Sequence, residues 1–489
     1  MPKSKARNDS DDYDSDAPLS QSSESEDEGI EDYKKGGYHP VNIGETYHAG
    51  KYTVLRKLGW GHFSTVWLVI NNVDGGYGAM KVQKSAKHYT EAACDEITLL
   101  TQIKEGDPSN SKHCVHLLDH FQHTGPNGRH VCMVFEVLGD NLLALIKMFD
   151  YRGVPIPIVR NLARQMLVGL DYLHRELQII HTDFKPENVM LVRPLRQRVW
   201  ELPGLPAHLL SQGPLAPPLG PPTGPSPLPP THPASSAAPP PSINKNQRKK
   251  AKRRAKKEAA RAGAGAGAGA GAAAAAGGAQ GSGAAVGGGQ PGLGGEAGGA
   301  AGAGAPLLSI PGLSFEELAT VACKLVDFGN ACWTHKQFTA DIQTRQYRSP
   351  EVILGARYST PCDMWSLACM LFELITGDLL FDPRSGDGWE RDEDHLAQFM
   401  ELLGRMPRKV YDKGKYAREY FNRHGELRHI KRLRFWPLEK VFAEKYSMPL
   451  DEAQGLADFL TPMLDFIPEK RATAAEMLNH PWLACDRGP

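Results

Sequence analysis

His181-Thr182-Asp183-Phe184-Lys185-Pro186-Glu187-Asn188 places a carboxylate, an ammonium and a carboxamide within six positions of one loop. A second carboxylate stands in Asp327-Phe328-Gly329, which follows the strand-like Lys324-Leu325-Val326 and lies 139 positions beyond Asn188. Upstream, Gly59-x-Gly61-x-x-Ser64-x-Val66 reads as a glycine turn between two strands. Glycine there lets backbone N–H groups approach phosphate oxygens with no Cβ in the way. Lys81 lies on the short strand Gly78-Ala79-Met80-Lys81-Val82, fifteen residues past Val66. Glu96 lies fifteen further on, in a segment whose Ala92, Ile97 and Leu100 recur at helical spacing. A lysine on a strand and a glutamate on the next helix can pair and hold the ammonium toward nucleotide phosphates.

In order and spacing these pieces resemble the protein-kinase signature set. The resemblance implies an α+β, bilobal fold: a small antiparallel-sheet lobe with one helix, then a larger helical lobe. ATP and Mg²⁺ are the implied cofactors. Asp183 is placed to accept the substrate hydroxyl proton, Lys185 to offset charge on the moving phosphoryl group, and Asn188 and Asp327 to supply hard oxygens to the cation. Lys81 and Glu96 complete the catalytic set. Phe135, Glu136 and Leu138 match the linker between lobes, where backbone groups hold adenine, with Leu58, Val66 and Ala79 as apolar walls and Gly59, Gly61 and Ser64 in the phosphate loop. Glu351 of Arg348-Ser349-Pro350-Glu351 is expected to pair with Arg471, and Asp363 to cap N–H groups near the catalytic loop. Thr182 replaces the usual arginine and cannot pair with a phosphate dianion, so activity without activation-loop phosphorylation is expected.

A narrower resemblance, to the SR-protein-specific kinases, rests on Gly36-Gly37-Tyr38-His39-Pro40-Val41, Leu58–Trp67, Gly329-Asn330-Ala331-Cys332-Trp333, Asp341–Ser349, Arg391–His395 and Ile467–Thr473. That family also splits its kinase core with a long spacer. It implies phosphorylation of serines in Arg-Ser repeats of splicing factors. It further implies a docking groove at Asp378, Asp394 and Glu401, with Lys445 at the fourth family position. Arg345, Arg348 and Arg391 match basic positions that receive an already phosphorylated serine; guanidinium suits both carboxylate and phosphate. Two alternatives stand beside this: a pseudokinase-like scaffold binding Arg-rich proteins, and a related dual-specificity splicing kinase. The first is disfavoured by the complete catalytic set, the second by the lack of a Leu-Ala-Met-Met-Glu-Arg motif.

Composition sets the outer limits. The 489 residues carry 56 basic and 56 acidic side chains, which excludes a uniformly charged binder. The zero is a sum of blocks: residues 1–32 hold eleven acidic against three basic side chains, and 201–306 hold ten basic against three acidic. The expected division is an acidic tail (1–37), a first kinase segment (38–193), a Pro-rich, basic and Gly/Ala-rich spacer (194–312) and a second kinase segment (313–486), with tail and spacer disordered. Without an apolar leader or an 18-residue apolar run, a soluble monomer of cytoplasm and nucleus with reduced cysteines is expected, with no membrane contact. The run Arg248–Lys257 is a candidate for import-factor or chaperone contacts; lacking aromatics, it is not expected to bind nucleic acid directly. His113, His116, His120 and His123 surround Cys114, but their spacing fits no common zinc pattern and reads as strand and loop.

Overall fold

The computed structural model describes residues 29–201 and 307–484. The serine-rich tail and the basic and Gly/Ala-rich runs of the spacer lie outside the described residues. Strands are numbered in chain order, as are the helices of seven or more residues.

Six strands form one antiparallel sheet in the order β1-β2-β3-β4-β6-β5: β1 (Thr46–Tyr47), β2 (Tyr52–Gly61), β3 (Ser64–Asn71), β4 (Tyr77–Gln83), β5 (Leu117–Gly125) and β6 (Gly128–Phe135). Alternation gives the sheet two apolar faces. Tyr47, Val54, Trp67, Val69, Met80 and Val134 cluster on the outer one. On the other, register pairs Val66 with Lys81 and Ala79 with Phe135, so these four side chains share the face toward the cleft. Helix α1 (Lys87–Gly106) buries Ala93, Glu96, Leu99, Leu100 and Ile103, a helical stripe. A carboxylate in that stripe needs a partner.

The larger lobe is helical. Asn141 caps α2 (Leu142–Met148) by accepting the Ala144 N–H at 2.9 Å. Helix α3 (Ile156–Asp171) presents Ile158, Leu162, Met166 and Leu170 to the core. Helix α4 (Pro361–Thr376) is buried from Cys362 to its last residue and forms the lobe's axis; its few polar side chains, Asp363, Ser366, Glu373 and Thr376, are buried with the apolar ones. It ends at Gly377, whose φ of +81° and close approach to the Tyr151 carbonyl leave no room for a Cβ. Helices α5 (Arg391–Leu403) and α6 (Leu450–Leu460) pack outside it. Two short strand pairs, β7 (Ile179–Ile180) with β12 (Cys332–Trp333) and β8 (Val189–Leu191) with β11 (Cys323–Leu325), bracket the loops 181–188 and 326–331.

The ordered chain reaches beyond the boundaries expected from composition. Arg198–Glu201 and Leu307–Ile310, counted with the spacer, pair as antiparallel strands β9 and β10. Leu308 is buried against Leu55, Leu68 and Ile70, and the Trp200 ring lies 4.7 Å from the Arg56 guanidinium. These short apolar and aromatic runs cover sheet surface of the small lobe. Residues 29–37, counted with the acidic tail, contain a turn, Ile30–Asp32, held by an Asp32–Lys84 ion pair at 2.7 Å.

Candidate active site

The upper wall of the cleft is an ion pair. Lys81 Nζ stands 2.7 Å from Glu96 Oε1 and 4.0 Å from Asp327 Oδ1. Burial pushes the ammonium down, but Glu96 and then Asp327 outweigh it, and the net shift is upward. β2 and β3 meet at the turn His62-Phe63, and a Cβ at Gly59 or Gly61 would meet nothing within 4 Å. The protein itself makes no steric demand for glycine there, and the open space is what a phosphate group needs. Ser64, in the same motif, is buried at the start of β3 opposite Gln83. Val66 and Ala79 share the cleft face, while Leu58 is exposed at its edge.

The lower wall is the catalytic loop. Asp183 Oδ1 accepts the Thr344 hydroxyl at 2.7 Å and its N–H at 3.2 Å. Lys185 Nζ lies 3.0 Å from Asp183 Oδ2 and donates to Thr344 Oγ1 at 3.0 Å. Burial pushes the Asp183 carboxyl up; Lys185, the Thr344 hydroxyl and His181 together outweigh it, so the net shift is down and the group stays ionised. Asn188 Nδ2 donates to the Asp183 carbonyl at 2.8 Å, which leaves its amide oxygen as the atom available to a cation. Across the cleft Asp327, at φ +62°, keeps a half-exposed carboxylate. Two oxygens of this kind on opposite loops fit a hard divalent ion.

The loop is held from beneath. Buried Asp363, at the start of α4, accepts the N–H groups of His181 at 2.8 Å and Thr182 at 3.0 Å and bonds His174 Nε2 at 2.9 Å. The His181 ring packs against Phe184 and Phe328, with centroids 5.4 and 5.3 Å away. Phe328 shares the core with Leu99 and Leu100 of α1, and α1 packs on the turn Phe328–Asn330, which ties the helix carrying Glu96 to the loop carrying Asp327. The Thr182 hydroxyl donates to the Asn330 carbonyl at 2.9 Å, and its own carbonyl accepts the Gln343 N–H at 2.9 Å. Gln343 then binds the Cys362 carbonyl, Ser366 and Ser349. Thr182 is thus tied to the loops on either side by neutral hydrogen bonds. The Arg471 guanidinium meets both oxygens of Glu351 at 2.8 and 3.0 Å, both groups buried.

At the linker, the Glu136 side chain turns onto Lys324 Nζ at 2.6 and 2.7 Å, clipping the linker to β11 and leaving only its backbone for the cleft. Phe135 and Leu138 are half-buried against the core.

A second region lies on the large lobe. Asp394 and Glu401 are two turns apart on α5, on one face. Asp394 accepts the Arg384 N–H at 2.9 Å and the Gln398 amide at 2.8 Å; Glu401 accepts the Arg434 N–H at 2.8 Å. Asp378 receives Lys445 Nζ at 2.9 Å and the Tyr446 hydroxyl at 2.8 Å, and the Lys445 bond leads in holding its carboxyl below the usual range. A groove of about 520 Å³ runs here, with Phe372, Leu380, Glu401, Trp436 and Lys445 among its walls. Arg345 pairs with Asp392, Arg348 lies 3.3 Å from Asp341, and Arg391 Nε donates to the Pro383 carbonyl. The three arginines surround His395, which burial and then their charges hold well below the usual histidine range.

Thr344, Gln343 and the Lys324–Glu136 clip were not visible as functional residues in the sequence. Threonine and glutamine carry no signature of their own, and their partners lie far away along the chain. The same is true of Tyr38, whose hydroxyl donates to the Gly61 carbonyl at the glycine turn at 2.7 Å.

Comparison with known proteins agrees with this geometry. The protein kinase domain family model matches residues 52–199 and 316–483. The chain is 45% identical over 94% of its length to a serine/threonine-protein kinase SRPK of Physarum polycephalum, of which 92% is covered. It is 43% identical over 93% of its length to protein kinase dsk1 of Schizosaccharomyces pombe, covering 85% of that protein. SRSF protein kinase 3 of Homo sapiens is 42% identical over 94% of this chain and 91% of its own.

Proposed function

Because the chain belongs to the protein kinase family, and within it to the SRPK group of serine/threonine-protein kinases, we propose that it transfers the γ-phosphoryl group of ATP to serines in Arg-Ser repeats of splicing factors. The observation that carries the reading is the closed Asp183–Lys185–Thr344 cluster facing the Lys81–Glu96 pair. Phosphoryl transfer is positioning plus charge stabilisation, and this arrangement supplies both. Asp183, ionised, takes the proton of the serine hydroxyl. Lys185 offsets charge on the moving group, and Lys81 holds the α/β-phosphates. The backbone of 135–138 holds adenine. Asn188 and Asp327 would hold Mg²⁺, which when bound neutralises charge between the phosphates.

Substrate choice rests on the second region. Asp394 and Glu401 offer carboxylates to arginines of the repeat, and Arg345, Arg348 and Arg391 offer guanidinium groups to a serine already phosphorylated. The neutral bonds of Thr182 support activity without activation-loop phosphorylation. Enzyme unphosphorylated over 327–351 yet inactive until treated by another kinase defeats that part. Import-factor or chaperone contacts through Arg248–Lys257 lie outside the described residues, and residence in cytoplasm and nucleus is a proposal of the same reading.

The test is phosphorylation of an Arg-Ser peptide by the wild type and by Asp183→Ala with Mg-ATP. A loss of roughly 10²–10⁴-fold in kcat is expected on removal of a general base. Equal, background-level incorporation by both proteins would leave only a binding scaffold.

A further inference from the structure

Three side chains from separate segments meet on the outer face of the small lobe: His39 in the arm before the sheet, Glu45 just before β1, and His123 on β5. Their ligand atoms all lie within 4.8 Å of one another. We propose that His39, Glu45 and His123 form a divalent-metal site, suited to Zn²⁺, that fastens the N-terminal arm to the sheet.

The strongest observation is His39 itself. The residue is 3% exposed, and neither ring nitrogen has a hydrogen-bond partner. Leaving buried polar atoms unpaired is costly, so such a group calls for a ligand. Gly125 leaves room for the ring: an added Cβ there would fall 2.3 Å from Nδ1. Its other nitrogen, Nε2, faces Glu45 Oε1 at 4.0 Å. Glu45 Oε2 is engaged by the Asn42 N–H at 3.0 Å, which orients the carboxylate and leaves Oε1 for coordination. The His39 and His123 rings stand 4.6 Å apart at 61°, an edge arrangement rather than a stack.

Two imidazoles and one carboxylate make a borderline donor set of the kind zinc takes, with bonds of about 2.0–2.2 Å. Tetrahedral bonds of that length need donors roughly 3.4 Å apart, so small side-chain rotations close the site. His130 adds a candidate fourth ligand. Its ring lies 5.0 Å from that of His39; Nδ1 bonds the Gln83 carbonyl at 2.8 Å, and Nε2 is buried without a partner. A histidine whose Nδ1–H is anchored on a carbonyl presents a lone pair at Nε2, as metal-binding histidines do. Otherwise a water takes that position. The site adjoins Tyr38, the residue that holds the Gly61 carbonyl, so the metal would steady the arm behind the glycine turn.

The test uses the untagged full chain, stripped by chelator and titrated with Zn²⁺ by calorimetry, with bound metal counted after dialysis. One tight equivalent is expected. His123→Gln and Glu45→Gln should each weaken that site by at least about 10-fold, since loss of even an outer-shell partner costs that much. His120→Gln, exposed on the same strand, should leave it unchanged. Zn²⁺ should raise the unfolding temperature of the wild type and not that of His123→Gln, and metal-free wild type and His123→Gln should unfold alike. Zn²⁺ binding by His123→Gln with wild-type affinity and stoichiometry would overturn the proposal, as would the absence of a tight equivalent in the wild type.

Discussion

The catalytic cleft and the groove beside α5 are both built on carboxylates, but they satisfy them differently. In the cleft, Glu96 and Asp183 each meet a side-chain ammonium within 3.0 Å, and the hydroxyl of Thr344 joins Asp183 to Lys185. Those partners are buried or half-buried, and Asp363 anchors the loop from a fully buried position. In the groove, Asp394 and Glu401 accept backbone N–H groups and one amide, and Asp378 takes an ammonium and a phenol at the surface. The first arrangement is preorganised: its charges are in place before a reactant arrives, and little rearrangement is left for the reaction. The second is exchangeable. Its carboxylates keep free lone pairs that an incoming guanidinium can take without breaking the fold. One region is made to hold geometry and the other to trade partners.

The sharpest way to break this contrast is to loosen the cleft without touching a charge. Thr344→Val removes the hydroxyl between Asp183 and Lys185 and keeps the shape. If the cleft is preorganised, kcat should fall by about 10–100-fold, the scale of a small misplacement, with little change in KM for ATP. An unchanged kcat would show that Thr344 only fills space. A smaller effect, of another kind, is expected from the groove. Replacing Asp378, Asp394 and Glu401 by their amides should raise KM for an Arg-Ser peptide by about 10-fold, with kcat kept. The gap should narrow as salt rises, because the lost attraction is screened over about 10 Å at 0.1 M. A fall in kcat instead, insensitive to salt, would mean that these residues support the lobe and do not receive substrate.

The same contrast explains what the sequence made legible. Lys81, Glu96, Asp183 and Asp327 could be read because each sits at a fixed step from a glycine turn, a helix stripe or a strand end, and the chemistry demands that residue type. The carboxylates of α5 are ordinary in a helix and became meaningful only through a family resemblance. Gln343 and Thr344 have no chemistry of their own and act through partners more than 150 positions away in the case of Asp183. His123 was visible in a histidine-rich stretch, yet its true neighbours, His39 and Glu45, come from the arm across the sheet. The ends of the spacer were hidden for another reason. Proline and glycine dominate its composition, while the residues that pair as β9 and β10 are a handful at its margins. Local pattern reveals what local chemistry requires; contacts closed by the fold leave no periodic trace.

The finest test concerns Lys445, the basic member of the groove. Its ammonium lies 2.9 Å from Asp378, with both side chains about half exposed. A pair so exposed contributes at most about 1 kcal/mol, so its loss should hardly affect folding. Its effect on docking has a definite sign. While Lys445 covers Asp378, an incoming arginine must displace it or share the carboxylate; Lys445→Met frees that carboxylate and makes the groove mouth more negative by one charge. An Arg-Ser peptide should then bind about 2–5-fold more tightly at low salt, the range a surface pair can supply, with the gain gone at high salt. Weaker binding would reverse the assignment. It would mean that the ammonium itself meets the substrate, at a carbonyl or a phosphate, and that the groove recognises more than arginine.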